Sequence, residues 1–113
     1  LPDGARFTDY LRQGERRQRS MAERFVNDRS LEANRRYQKI AEDIGVPLVA
    51  LALAWSRQHD FVAATIVGAT SIAQLDESLQ AIDLILDQET LERINDVDVD
   101  IPYPLREDGL RRL

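Results

Sequence analysis

Cysteine is absent from this chain, and lysine, histidine and tryptophan occur once each, as Lys39, His59 and Trp55. Without cysteine there are no disulfides and no thiolate metal sites, and the composition suits a reducing cytoplasm. One histidine among scattered carboxylates falls short of the ligands a metal site needs, so no metal is expected. A serine–histidine–aspartate triad would depend on His59, which sits in the polar turn Gln58-His59-Asp60. The longest apolar run, Val46 to Trp55, is well below the roughly 20 residues that cross a bilayer, so no membrane association is expected. No basic-then-apolar leader opens the chain, and its start at Leu1 points to a piece of something longer. A net charge of −5 and a pI near 4.8 argue against a general affinity for nucleic acid.

What is present is of single-domain length: 113 residues, 43 % hydrophobic and 31 % charged. The charge is uneven. Residues 1–36 hold nine arginines against six acids, and residues 37–113 hold six basic side chains against fourteen acids. The arginine-rich leading segment suits phosphate, and it equally suits a solvated loop of mixed charge. Gly4, Gly14 and the polar run Gln13 to Ser20 read as an extended loop across residues 1–29, with a short helix around Gln18 to Val26 as an option.

From Ser30 the pattern sharpens into the second part, residues 30–113. Ser30 reads as an N-cap. Tyr37, Ile40, Ala41 and Ile44 follow at helical spacing on one face, and Gly45 ends the helix. Pro47 opens a second helix, Leu48 to about Arg57, apolar nearly all round as a buried helix is. The run from Phe61 to Val67 favours β-structure without alternation, which predicts a strand over 62–67 covered on both faces. Gly68 closes it, Thr70 or Ser71 caps a further helix, and Ser71 with Gln74 fits the reciprocal S-x-x-Q cap. Ile72, Leu75, Leu79 and Ile82 form that helix's expected buried stripe. A last helix begins after Asp87 and carries Leu91, Ile94 and Val97, and the prolines of Ile101-Pro102-Tyr103-Pro104 demand an extended tail. A lone strand has donors and acceptors on both edges and no neighbour here to meet them, so its partners must lie elsewhere.

One stretch carries chemistry. A strand, Gly68 and a capped helix start together present backbone N–H groups to an anion. Gln74, Glu77 and Ser78 make a polar stripe able to hydrogen-bond a purine and ribose, or simply to meet water. Tyr37, Lys39 and Asp43 are acid–base types close in sequence, but Tyr37 and Lys39 point to different helix faces, and Lys39 with Asp43 is a surface pair.

The string Ala64-Thr65-Ile66-Val67-Gly68-Ala69-Thr70-Ser71-Ile72-Ala73-Gln74-Leu75-Asp76-Glu77-Ser78-Leu79 resembles the last strand and following helix of the aldo/keto reductases, in the branch that includes the potassium-channel beta subunits. The flanks agree, from Ala41-Glu42 through Gly45, the helix to Trp55-Ser56-Arg57 and Pro102-Tyr103, so the resemblance covers essentially the whole chain as the C-terminal third of a barrel. It implies an α/β fold, the C-terminal part of a (β/α)8 TIM barrel, and an active site at the C-terminal ends of the strands. It implies hydride transfer between a nicotinamide, NADPH with NADH as the option, and an aldehyde or ketone. Gly68, Thr70, Gln74, Glu77 and Ser78 match positions holding the adenosine 2′-phosphate end. Arg6, within Gly4-Ala5-Arg6, matches the arginine near the cofactor phosphates. Thr70 would donate to a phosphate oxygen, Gln74 would reach the 2′-phosphate or ribose, and Glu77 and Ser78 would contact the adenine edge.

Two departures bear on the cofactor. Ser78 stands where the family has asparagine, and no lysine or arginine lies between Thr70 and Ser78 to pair with a 2′-phosphate. The family's catalytic Asp, Tyr, Lys and His belong to strands before Leu1, so no residue of this chain is assigned a catalytic role, and the chain alone is expected to be inactive. Two other readings stay open. Ile40 to Pro47 resembles the first helix and turn of a helix-turn-helix DNA-binding module, although the next helix lacks the basic and polar face such recognition needs. The third is a non-catalytic interaction fragment.

Overall fold

The computed structural model describes residues 6–102 and residue 104, and the sequence motifs at Gly4-Ala5 and Tyr103 lie outside them. Six helices make up the regular structure among the described residues: α1 (Arg6–Gln13), α2 (Arg16–Phe25), α3 (Asp28–Ile44), α4 (Leu48–Arg57), α5 (Ile72–Leu79) and α6 (Gln88–Asp100).

Helix α1 forms where the composition reads as a loop, and α2 takes the place of the short helix that Gln18 to Val26 offered as an option. Local devices build them. The Glu15 N–H donates to Gln18 Oε1 at 2.9 Å across the first turn of α2. The Phe7 and Phe25 rings stack at 5.4 Å between centroids and tie α1 to α2. At the corner, Gly14 donates to the Tyr10 carbonyl at 3.0 Å, so close that a Cβ there would lie 2.3 Å from the same oxygen.

Helix α3 starts two residues before the predicted cap. Asn27 is the cap, with its Oδ1 accepting from the Ser30 N–H at 3.0 Å while Ser30 Oγ accepts from the Asn27 N–H at 3.0 Å. Ser30 is therefore the returning partner of the cap. Either residue type can play either role, and the pair's direction is set by where the chain turns. Gly45, at φ 74°, ends α3 in the left-handed region, and the Val46 N–H reaches back to the Ala41 carbonyl.

The core lies where α3 packs against α4 and α6, and α4 against α5. Ile40, Ala41, Leu51, Ala54, Ile94 and Val97 are buried in it, and Tyr37, Ile44 and Leu91 pack on its edge, as the helical spacing predicts. An arginine–glutamine pair at the end of α4 holds the return from α5 to α6. Arg57 Nη2 donates to the carbonyls of Ala81 and Leu84 at 3.1 and 2.8 Å. The Gln58 amide meets both backbone groups of Leu86, each at 2.8 Å. On the far side, Asn27 and Arg29 donate to the Pro104 and Pro102 carbonyls at 2.9 and 2.8 Å.

Two sequence expectations change. The strand over 62–67 is not formed: among the described residues the segment is irregular and pairs with no ladder, and Phe61 and Ile66 are 85 % and 96 % exposed. A strand exists only by pairing, and the described residues supply no neighbour. The α5 stripe of Ile72, Leu75, Leu79 and Ile82 is exposed, and the helix instead buries Ser78. Spacing identifies an apolar face, but burial needs a second layer to lie on it.

Candidate functional site

The stretch from Gly68 to Ser78 is built on the amino end of α5. The Ser71 side chain caps it, with Oγ accepting from the Gln74 N–H at 3.2 Å. The Gln74 side chain does not return to Ser71 as the predicted reciprocal cap requires. It reaches one residue further, and its Oε1 accepts from both the Thr70 N–H (2.9 Å) and the Thr70 hydroxyl (3.0 Å). Because the partner N–H can only donate, the oxygen of the amide must face Thr70. The Gln74 amide nitrogen is left with its two donors on an exposed side chain. Beside it the first-turn amides of Ile72 and Ala73 have no helical acceptor, as at any helix start.

Gly68 is exposed, and a Cβ built on it meets nothing within 4 Å. Its own fold therefore places no steric demand for glycine there. Glu77 is exposed on the next turn. Ser78 is turned inward, 7 % exposed, with Oγ donating to the Gln74 carbonyl at 2.9 Å. Arg6 is exposed at the first residue of α1, in a helix where the motif suggests a loop. The structure thus gathers Thr70 and Gln74 into one hydrogen-bonded unit with Gly68 just before it, and it turns the Ser78 hydroxyl away from solvent.

An apolar groove of ≈ 960 Å³ lies elsewhere, between α3, α4 and α6, lined by Tyr37, Leu48, Trp55, His59, Leu91 and Ile94 among others. No residue from Gly68 to Ser78 lines it. His59 Nδ1 lies 2.6 Å from the Trp55 carbonyl, which can only accept, so that nitrogen donates. The Tyr37 hydroxyl is pushed above its usual range, first by burial and then by the nearby Asp98 carboxylate. A phenol so held keeps its proton at neutral pH. Among the described residues no group of three or more His, Cys, Asp or Glu is arranged to hold a metal ion, and no helix is long and apolar enough to cross a membrane.

Sequence reasoning missed the Arg57–Gln58 pair that fixes the exit of α5. A polar dipeptide at a helix end gives no sign of the backbone groups it will meet twenty-four to twenty-eight residues later.

Comparison with known proteins now fixes the class. The model of the aldo/keto reductase family matches residues 4–99, and the chain belongs to that family. It is 38 % identical over 69 residues to a protein of Schizosaccharomyces pombe described as a voltage-gated potassium channel subunit beta, a match over 59 % of this chain and 20 % of that protein. It is 32 % identical over 81 residues to Protein tas of Escherichia coli (72 % of this chain, 23 % of that one). Against oxidoreductase YrpG of Bacillus subtilis the identity is 27 % over 62 residues, covering 55 % and 19 % of the two chains. The chain matches about one fifth of the length of these relatives.

Proposed function

We propose that this chain forms the part of a nicotinamide-dependent carbonyl reductase that holds the adenosine-phosphate end of the cofactor. The observation that carries this is the Gln74 side chain. Its oxygen is anchored by Thr70, which leaves its two N–H donors pre-set at the amino end of α5 beside the bare backbone of Gly68. Fixed donors near a helix start suit phosphate and ribose oxygens, and the pre-orientation lowers the entropy lost on binding. Glu77, one helical turn on, is free to accept from an amine or hydroxyl of the nucleoside. Thr70 donates to phosphate only if its hydroxyl turns away from Gln74. Ser78 serves α5 itself and makes no contact with adenine in this arrangement.

In the whole protein, residues 62–67 take the place of a barrel strand beside neighbours from upstream sequence, and the exposed faces of α5 and the 61–67 segment lie against the rest of a (β/α)8 barrel in the cytoplasm. The bound nicotinamide supplies hydride to an aldehyde or ketone, and the proton donor comes from that upstream portion. NADPH is favoured over NADH through Arg6, the one site residue able to pair with a 2′-phosphate. The isolated chain is inactive.

Steady-state kinetics on a protein carrying the upstream portion test this. Gln74→Ala raises KM for NADPH roughly tenfold, the equivalent of one charge-assisted hydrogen bond, and leaves kcat unchanged. Arg6→Ala raises KM for NADPH more than for NADH. Equal loss for both cofactors removes the 2′-phosphate assignment, and unchanged KM values in both variants remove the site. The isolated chain shows no measurable NADPH affinity by fluorescence titration, and submicromolar binding by it would contradict the division of the site proposed here.

A further inference from the structure

Serine hydroxyls in folded chains are drawn into local hydrogen bonds, and four of the five here are. Ser30 and Ser71 take part in helix caps, Ser78 donates to the Gln74 carbonyl, and Ser56 pairs with Thr65 at 3.1 Å. Ser20 differs. It is exposed on α2, and its hydroxyl has no partner among the described residues.

Its surroundings are cationic. Arg16, Arg17 and Arg24 stand four and three residues before it and four after it, which places all three on its own face of α2 with Cβ separations of about 5–6 Å. All three are exposed, and none has a carboxylate partner among the described residues. Arg19 is turned elsewhere, with Nε donating to the Gly14 carbonyl at 2.9 Å. One acid, Glu23, shares the face. Arg16 and Arg17 also stand in the first turn of α2, where the positive end of the helix dipole repels them and the N-cap Glu15 is the acid set against it. An anion on Ser20 removes that repulsion.

The geometry points to Ser20 as a phosphorylation site whose phosphate is gripped by Arg16, Arg17 and Arg24. The donor is a nucleoside triphosphate bound to a serine kinase. The Ser20 Oγ–phosphorus bond forms as the bond to the β-phosphate oxygen breaks, the nucleoside diphosphate leaves, and the hydroxyl proton passes to the kinase base. The product carries about −1.5 to −2 charges at neutral pH, opposite three guanidinium groups able to bind it through two N–H donors each. An acceptor must extend to enter a kinase cleft, so α2 has to open. Ala22 is its buried residue and the Phe7–Phe25 stack joins it to α1, but α2 makes little contact with the helices from α3 onward, and peripheral units of this kind open at low cost. While α2 is open, Arg16 and Arg17 are read as basic residues ahead of the acceptor. Once it closes, they and Arg24 fold over the phosphate.

The test uses the whole 113-residue chain, magnesium ATP and the cyclic-AMP-dependent serine kinase as an arginine-selective probe. Mass spectrometry should locate one phosphoryl group on Ser20, none in Ser20→Ala, and a rate roughly tenfold lower in Arg17→Ala. Phosphorus NMR then asks whether the helix face forms. The phosphoserine should titrate below the pKa of about 6 found without such partners, rise towards it in Arg24→Gln, and return in Arg24→Lys. No labelling, or labelling of a different residue, overturns the site. Labelling at Ser20 with a titration unmoved by Arg24→Gln overturns the grip.

Discussion

Glycine 45 and glycine 68 look alike in the sequence, since each closes an apolar segment ahead of a helix. Their backbones differ. Gly45 sits at φ 74°, where a Cβ strains the chain, whereas a Cβ on Gly68 meets open space. Gly45→Ala should therefore lower stability by about 1–2 kcal/mol in urea unfolding, as a left-handed alanine does. Gly68→Ala should leave the midpoint unchanged and act only on NADPH affinity, in the protein that carries the rest of the site. The glutamines separate in the same way. Gln74 was legible as part of a cap, although its amide turned out to bind Thr70. Gln58 was not legible at all, because the groups it satisfies belong to Leu86, 28 residues on and 3 % exposed. Gln58→Ala leaves a buried N–H and a buried carbonyl without partners and should cost about 1–3 kcal/mol for each group that water cannot reach, measured by the same unfolding curves.

At the scale of elements, helices whose apolar face meets a facing helix within this chain were plainly readable, and the two short ones at its amino end were not. Tyr37, Ile40 and Ile44 announce α3, and Leu91, Ile94 and Val97 announce α6, because each series meets a facing helix inside this chain. Helix α2 was legible only as an option, through Met21 and Phe25 one turn apart, and α1, with Phe7, Tyr10 and Leu11 at helical spacing, was hidden by Gly4, Gly14 and the polar run Gln13 to Ser20, which read as loop. The α3–α6 seam also sets how the fold answers acid. Asp43 lies 2.7 Å from both Lys39 on its own helix and Arg93 on α6, and these two bonds hold its carboxyl below the usual 3.8. Asp87, which caps α6, is lowered chiefly by the Thr90 backbone N–H. Both aspartates hold fewer protons folded than unfolded near pH 4. Their stabilising share is thus complete above the ordinary 3.8 and disappears as pH falls through the depressed folded values. Lys39 works in the opposite sense: its raised pKa keeps its share intact below 10.5 and loses it above the raised value. Amide exchange followed down from pH 5 should show α6 losing protection before α4, and Asp87→Asn, which keeps the acceptor and removes the charge, should flatten that dependence. An α6 that opens together with α4 at every pH would contradict this order.

The whole molecule holds a thin core with apolar surface left over. Among the described residues six of the eleven buried hydrophobics are alanines, and no large side chain is fully enclosed. Meanwhile Phe61, Ile66, Ile72 and Ile85 are 79 % exposed or more. Apolar faces of this kind mark surfaces meant for further protein. The sequence was legible to the extent of naming them as apolar; which of them would find cover was not, because an apolar pattern does not name the surface that will lie on it. If the rest of a barrel provides it, one substitution should have two different effects. In this chain by itself, Ile66→Asp swaps one solvated side chain for another and should shift stability by no more than about 0.5 kcal/mol in urea unfolding. In a protein that also carries the upstream portion, the same carboxylate would be buried between a sheet and its helices and should cost about 3 kcal/mol or more, or prevent folding. Ile66→Val supplies the control, with little effect in either context if the site is a covered strand position. Equal and small effects of Ile66→Asp in both proteins would mean that this face stays in water, and that residues 61–67 are a surface loop of the larger molecule.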